Sequence, residues 1–128
     1  MRRVMSFAVG GAVLAVLSGS AFAAGDAEKG KQVFKKCGMC HQIGPDAKSL
    51  VGPPLTGVVG RKAASVPDFT YSPGLKKLAD SGLTWTDANL DKYLTDPKAM
   101  VPGSPMALAL PDAADRADVI AYLKTFSQ

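Results

Sequence analysis

The chain has 128 residues, 47% of them hydrophobic and 20% charged, which is the size and composition of one folded domain. Two cysteines exclude a disulfide-dense mini-scaffold, and a single histidine excludes any site built on a histidine pair. Cys and His together also fall short of a four-ligand structural zinc set unless a carboxylate joins them.

The N-terminal segment reads as a targeting signal. Arg2 and Arg3 precede an uncharged apolar run from Val4 to Leu17, and Ala21 and Ala23 put small residues where a signal peptidase reads. The expectation is a cleaved secretory signal peptide over residues 1–23, followed by a single domain over 24–128. The apolar run is shorter than the roughly 20 residues that span a bilayer, which disfavours a retained anchor. Export points to a bacterial periplasm, an oxidising compartment, with no stable membrane insertion after cleavage. Cleavage also removes two arginines from a formal charge of +4. The remaining excess is too small to argue for nucleic-acid binding.

Three stretches then carry helical spacing. The first runs from about Asp26 to Cys40, with Ala27, Gly30, Phe34 and Cys37 on one face and Asp26 and Glu28 near its positive end. The second follows Thr86 as N-cap, shows Leu90, Tyr93 and Leu94 as its apolar face, and ends at Pro97. The third follows Pro111–Asp112 and carries a stripe of Val119, Ile120, Leu123 and Phe126. Between them lie breakers: Gly44–Pro45, Gly52–Pro53–Pro54, Gly57, Gly60, Pro67 and Pro73–Gly74. No segment alternates with a period of two, so the fold class is all-α, with three to four helices and long loops. So much loop buries little surface, and a large apolar group at the centre would complete the core.

Cys37, Cys40 and His41 form Cys-x-x-Cys-His at the end of the first helix and use every cysteine and histidine of the chain. Two intervening residues set both sulfurs along one edge of a turn, where each can add to a vinyl group of the same haem, and His41 can offer a nitrogen to the iron. A thioredoxin-like dithiol needs a strand-helix-strand setting that is missing here. A Cys37–Cys40 disulfide closes too short a loop to stabilise much, and a three-ligand zinc site needs an added carboxylate. His41 leaves one iron face to fill. Met39 lies between the cysteines, where helix geometry turns it away. Met100 and Met106 lie in a stiff stretch punctuated by Pro97, Pro102, Pro105 and Pro111. Pro102–Gly103 fits a type II turn. Met106, fixed by Pro105, is the favoured sulfur ligand, against a default in which both methionines only fill the core.

In order, the segments GDAEKGKQVFKKCGMCH, VGPPLTGVVGRK, FTYS, LTW, YLTDPK, MVPGSPM and DVIAYLK cover nearly all of residues 25–125. The chain resembles the class I c-type cytochromes, in the branch of mitochondrial cytochrome c and its soluble bacterial relatives. The resemblance implies a class I cytochrome c fold wrapped around one haem c, covalent through Cys37 and Cys40. It implies His41 as proximal and Met106 as distal iron ligand. The Pro53 carbonyl accepts a hydrogen bond from the other His41 nitrogen. Arg61, Tyr71 and Trp85, with Ser104 as a further partner, compensate a buried haem propionate. Tyr93 donates toward the Met106 sulfur. Gly30, Phe34, Tyr122 and the 119–123 stripe form the crossing of the first and last helices. Without a haem, Trp85 and Tyr93 read as core aromatics and Arg61 as a surface cation; a buried propionate reverses that order, because it requires a charged partner.

The chain departs from the family pattern at Pro105, often a lysine there, at Leu108, often an aromatic, and at the acidic cluster Asp112, Asp115 and Asp118. These positions bear on docking and leave the iron ligands untouched. The implied function is a soluble one-electron carrier, not an enzyme, with low-spin His/Met haem. The implied partners are membrane or periplasmic redox proteins: a cytochrome bc complex, an oxidase, a reaction centre or a dehydrogenase. They would dock on a monomer at a haem edge flanked by Lys35, Lys36, Lys48, Lys76, Lys77, Lys92 and Lys98. The competing reading is a peroxidase-like or gas-binding haem protein with a displaceable methionine, for which the sequence offers no distal acid–base group.

Overall fold

The computed structural model describes residues 10–12 and 24–127. The signal-peptide reading falls on residues 1–23 and so, apart from 10–12, lies outside the described residues. Among the described residues no helix is long and apolar enough to cross a membrane.

Five helices follow one another along the described chain: α1 Ala27–Phe34, α2 Pro73–Asp80, α3 Asp87–Thr95, α4 Pro97–Met100 and α5 Ala113–Lys124. Among the described residues the only β pairing is an isolated bridge between Lys62 and Thr84. Each helix begins on a side-chain cap. Asp26, Ser72, Thr86, Asp96 and Asp112 accept first-turn N–H groups of α1 to α5 in turn.

α1 and α5 cross at a point where no side chain separates them. A Cβ on Gly30 would overlap the Asp118 carbonyl and lie 2.8 Å from Tyr122 Cβ. Beside that contact the Phe34 and Tyr122 rings meet with centroids 5.4 Å apart. The Asp118 carboxylate accepts the Asp26 backbone N–H at 2.8 Å, tying the start of α1 to α5. α3 packs on the other side of α5 through Leu90, Leu94, Val119, Ile120 and Leu123, all buried. Arg116–Asp91 and Lys124–Asp87 join the two helices along their edges. The long segment between α1 and α2, and the loop between α4 and α5, then close around a cavity instead of filling the space with side chains.

Two readings of the elements change. The first helix ends at Phe34, not Cys40, with Lys35 as C-cap and tight turns beyond it. Pro73–Gly74 opens α2 instead of breaking the chain, because Ser72 caps it and a proline at the first helical position loses no hydrogen bond.

Candidate haem site

The turns after α1 place the thiols. The Cys37 carbonyl accepts both the Cys40 N–H at 3.0 Å and the His41 N–H at 2.9 Å. That single turn brings Cys37, Cys40 and His41 to one wall of the cavity. Cys37 is buried and Cys40 half-buried. Burial pushes the Cys37 thiol up, partly offset by Lys36.

His41 is held from behind. Its Nδ1 lies 2.7 Å from the Pro53 carbonyl oxygen, which can only accept, so Nδ1 carries the proton. Burial keeps the imidazole below its usual pKa, against the pull of that hydrogen bond. The ring is therefore neutral, with Nε2 as its lone-pair nitrogen, the form a metal takes. Gly52 supports the same ring face. A Cβ there would come within 2.6 Å of Nδ1 and 2.8 Å of Nε2. The Gly52 N–H donates to the Cys40 carbonyl at 2.8 Å, and Leu55 N–H to Gln42 at 2.9 Å, which zips the two segments together.

Met106 lines the cavity together with His41; Met100 does not, and packs against the core. Met39 is 83% exposed. Gly103 has φ 80°, the left-handed value that a Pro102–Gly103 type II turn needs.

Every residue anticipated for the site lines this one cavity of about 400 Å³: Cys37, Cys40, His41, Pro53, Arg61, Tyr71, Trp85, Tyr93, Ser104 and Met106. Arg61 Nη1 donates to the Pro54 and Thr56 carbonyls, at 3.1 and 3.2 Å. Its Nε is buried and has no partner. Burial also pushes the Arg61 pKa down, so the cavity favours an anion nearby. The Tyr71 hydroxyl accepts the Val66 N–H at 3.1 Å, which leaves its hydrogen to donate. The Tyr93 hydroxyl pairs with Ser104 Oγ at 3.0 Å, and either oxygen can be the donor. Burial raises the Tyr93 pKa and keeps it protonated, although the bond to Ser104 pulls the other way. Gly52 was missed as part of the site; its place beside Pro53, already read as a partner of His41, was the available signal.

The donor set fits a haem: two thiols on one turn, a neutral imidazole, apolar walls, and a buried guanidinium for a carboxylate. Among the described residues no three His, Cys, Asp or Glu side chains are grouped to hold a bare metal ion. Among the described residues a redox dithiol lacks its strand-helix-strand frame.

Residues 27–127 match the family described as cytochrome c. The chain belongs to the cytochrome c family. It is 55% identical over 124 residues to cytochrome c2 of Rhodomicrobium vannielii, covering 96% of each chain. With cytochrome c2 iso-1 of Rhodospirillum centenum it shares 50% identity over 117 residues, 80% of this chain and 98% of the relative. The solved structure of cytochrome c2 from Rhodospirillum centenum superposes with TM-score 0.78 at 47% identity, covering 81% of this chain and all of that one. Ferricytochrome c2 of Rhodopseudomonas palustris superposes with TM-score 0.73 at 41% identity, covering 79% and 98%. The fold is the all-α class I cytochrome c fold. The protein carries one haem c, bound covalently through Cys37 and Cys40, and it is a one-electron carrier that shuttles between redox partners, not an enzyme.

Proposed function

We propose that His41 and Met106 are the axial ligands of this cytochrome, and that it works as a monomer in the periplasm after cleavage behind Ala23. The observation that carries the ligand assignment is the shared cavity: His41 and Met106 line it and Met100 does not. When bound, the haem supplies a one-electron Fe(III)/Fe(II) couple. The His41–Pro53 bond fixes the ring and raises its basicity. A thioether favours the reduced state more than a second imidazole does, and the apolar wall acts in the same direction. With His41 and Met106 both holding the iron, no coordination position would remain for a substrate. Arg61 Nε, Tyr71, Trp85 and Ser104 serve the propionates. Among the described residues no Asp or Glu lines the cavity and its one histidine is engaged, so a peroxidase-like role has no carboxylate or second imidazole to act as its distal acid–base group.

Docking is assigned to the cavity mouth. Lys36 lines it, and Lys76 and Lys77 sit on α2, whose Leu75 also lines it. Redox partners with acidic surfaces, such as a cytochrome bc complex, an oxidase, a reaction centre or a dehydrogenase, fit that mouth. The ligand assignment is tested by absorption spectroscopy of the ferric holo-protein. Met106→Ala is expected to abolish the weak far-red iron–thioether band and Met100→Ala to keep it. The reverse pattern would make Met100 the ligand.

A further inference from the structure

The segment that carries Met106 runs from Val101 to Leu110, and α3 holds both of its ends. At the near end Ser104 N–H donates to the Val101 carbonyl at 2.9 Å, and Ser104 Oγ pairs with Tyr93 of α3. At the far end the Leu110 N–H donates to the Leu94 carbonyl of α3 at 2.7 Å. The Leu110 carbonyl is held from the opposite side. Arg116 Nη1, on α5, donates to it at 2.8 Å and to the Pro111 carbonyl at 2.9 Å. The same guanidinium uses Nε to reach Asp91 of α3 at 2.7 Å. Leu110 is 2% exposed and the Arg116 side chain 12% exposed, so the bond between them faces little competition from water.

We infer that Arg116 is a positioning residue for Met106: by clamping the far end of the loop to α3 and α5 together, it sets how readily the methionine leaves the iron. This rests on the assignment of Met106 as ligand. The chemistry suits the task. A planar guanidinium offers several N–H groups in fixed directions and can hold two carbonyls and a carboxylate at once; an ammonium is a compact point charge. Lys124–Asp87 joins the same two helices, and its hydrogen bond runs between their side chains and not to the loop. It therefore separates helix packing from loop holding.

The test uses ferric holo-protein mixed with rising imidazole concentrations. Once opening of the loop limits binding, the observed rate levels off at the opening rate. Arg116→Gln is expected to raise that limiting rate about tenfold, equivalent to about 1.4 kcal/mol of lost anchoring. Lys124→Met is expected to leave it within twofold. Arg116→Lys, which keeps a cation opposite Asp91, serves if the glutamine variant does not mature, and is expected to raise the rate about threefold. A limiting rate within twofold of the parent in the folded Arg116 variants overturns the inference. So does an equal acceleration in Lys124→Met, which would make the effect one of helix packing. Met106→Ala, measured alongside, reports on the ligand assignment by itself. If it loses the far-red band, a negative Arg116 result counts against Arg116 alone. If it keeps the band, the assignment fails and the inference falls with it.

Discussion

One methyl group at residue 52 decides how well His41 is held. The reason is steric, since Gly52 is not among the glycines with positive φ. An alanine Cβ would press on the imidazole from one side while the Pro53 carbonyl holds it from the other. The ring cannot retreat without losing that bond or leaving the cavity wall. Gly52→Ala is expected to lower holo-protein stability by about 2 kcal/mol, within the usual range for overpacking. Urea unfolding followed by haem absorption measures it; a midpoint equal to the parent's would show that the ring yields freely. At this scale much of the site was legible. Cys-x-x-Cys-His names its own chemistry through spacing, and Met106 stood out through the prolines around it. The Tyr93–Ser104 pair was not legible, because the partner of a hydroxyl depends on how a loop folds back in space. The same holds for Arg116, which looks like any surface arginine until Leu110 and Asp91 come together around it.

At the scale of elements, the crossing of α1 and α5 joins the first and last described helices, and Gly30 permits it. Exchanging glycine for alanine inside a helix ordinarily gains about 1 kcal/mol through propensity. Here the new Cβ meets the Asp118 backbone, lying within 2.6 Å of its carbonyl carbon. Backbone cannot move aside as a flexible side chain can, so overpacking wins. Gly30→Ala is expected to cost a net 1–3 kcal/mol, about the range for such insertions, measured by thermal or urea unfolding of the holo-protein. A neutral or stabilised variant would mean that the helices part at little cost. α3 and α5 were readable because local signals agree: Thr86 and Asp112 cap them, and their apolar residues recur at helical spacing. α2 was not, since Pro73 is a breaker in one context and a helix start in another, and only Ser72 before it decides between them. α4 hid behind Pro97 for the same reason: the residue that stops α3 begins the next turn, capped by Asp96.

Across the whole molecule, the charge that matters for docking is local: among the described residues the cavity is lined by Lys36 and Arg61 and by no Asp or Glu. Lys36 is exposed and lines the cavity, and Lys76 and Lys77 are exposed on α2, while Asp112 caps α5 and Asp115 and Asp118 lie within its first half. Two of those acids also have structural work: Asp112 accepts the Ala114 N–H and Asp118 the Asp26 N–H. Replacing all three would therefore confuse steering with folding, and Asp115 is the acid to change. A reagent approaching the mouth meets a positive local field even though the net charge is small, and that field decays over about 8–10 Å at physiological salt. Reduction of the ferric holo-protein by ferrocyanide, a small multivalent anion, is thus expected to slow as ionic strength rises. Lys36→Glu should lower the rate at low salt and flatten its salt dependence, whereas Asp115→Asn should leave both nearly unchanged. Stopped-flow absorption measures all three proteins. Equal salt slopes for the parent and Lys36→Glu would mean that electrons enter away from the mouth, and the lysine-flanked docking face would have to be abandoned while the haem site stood.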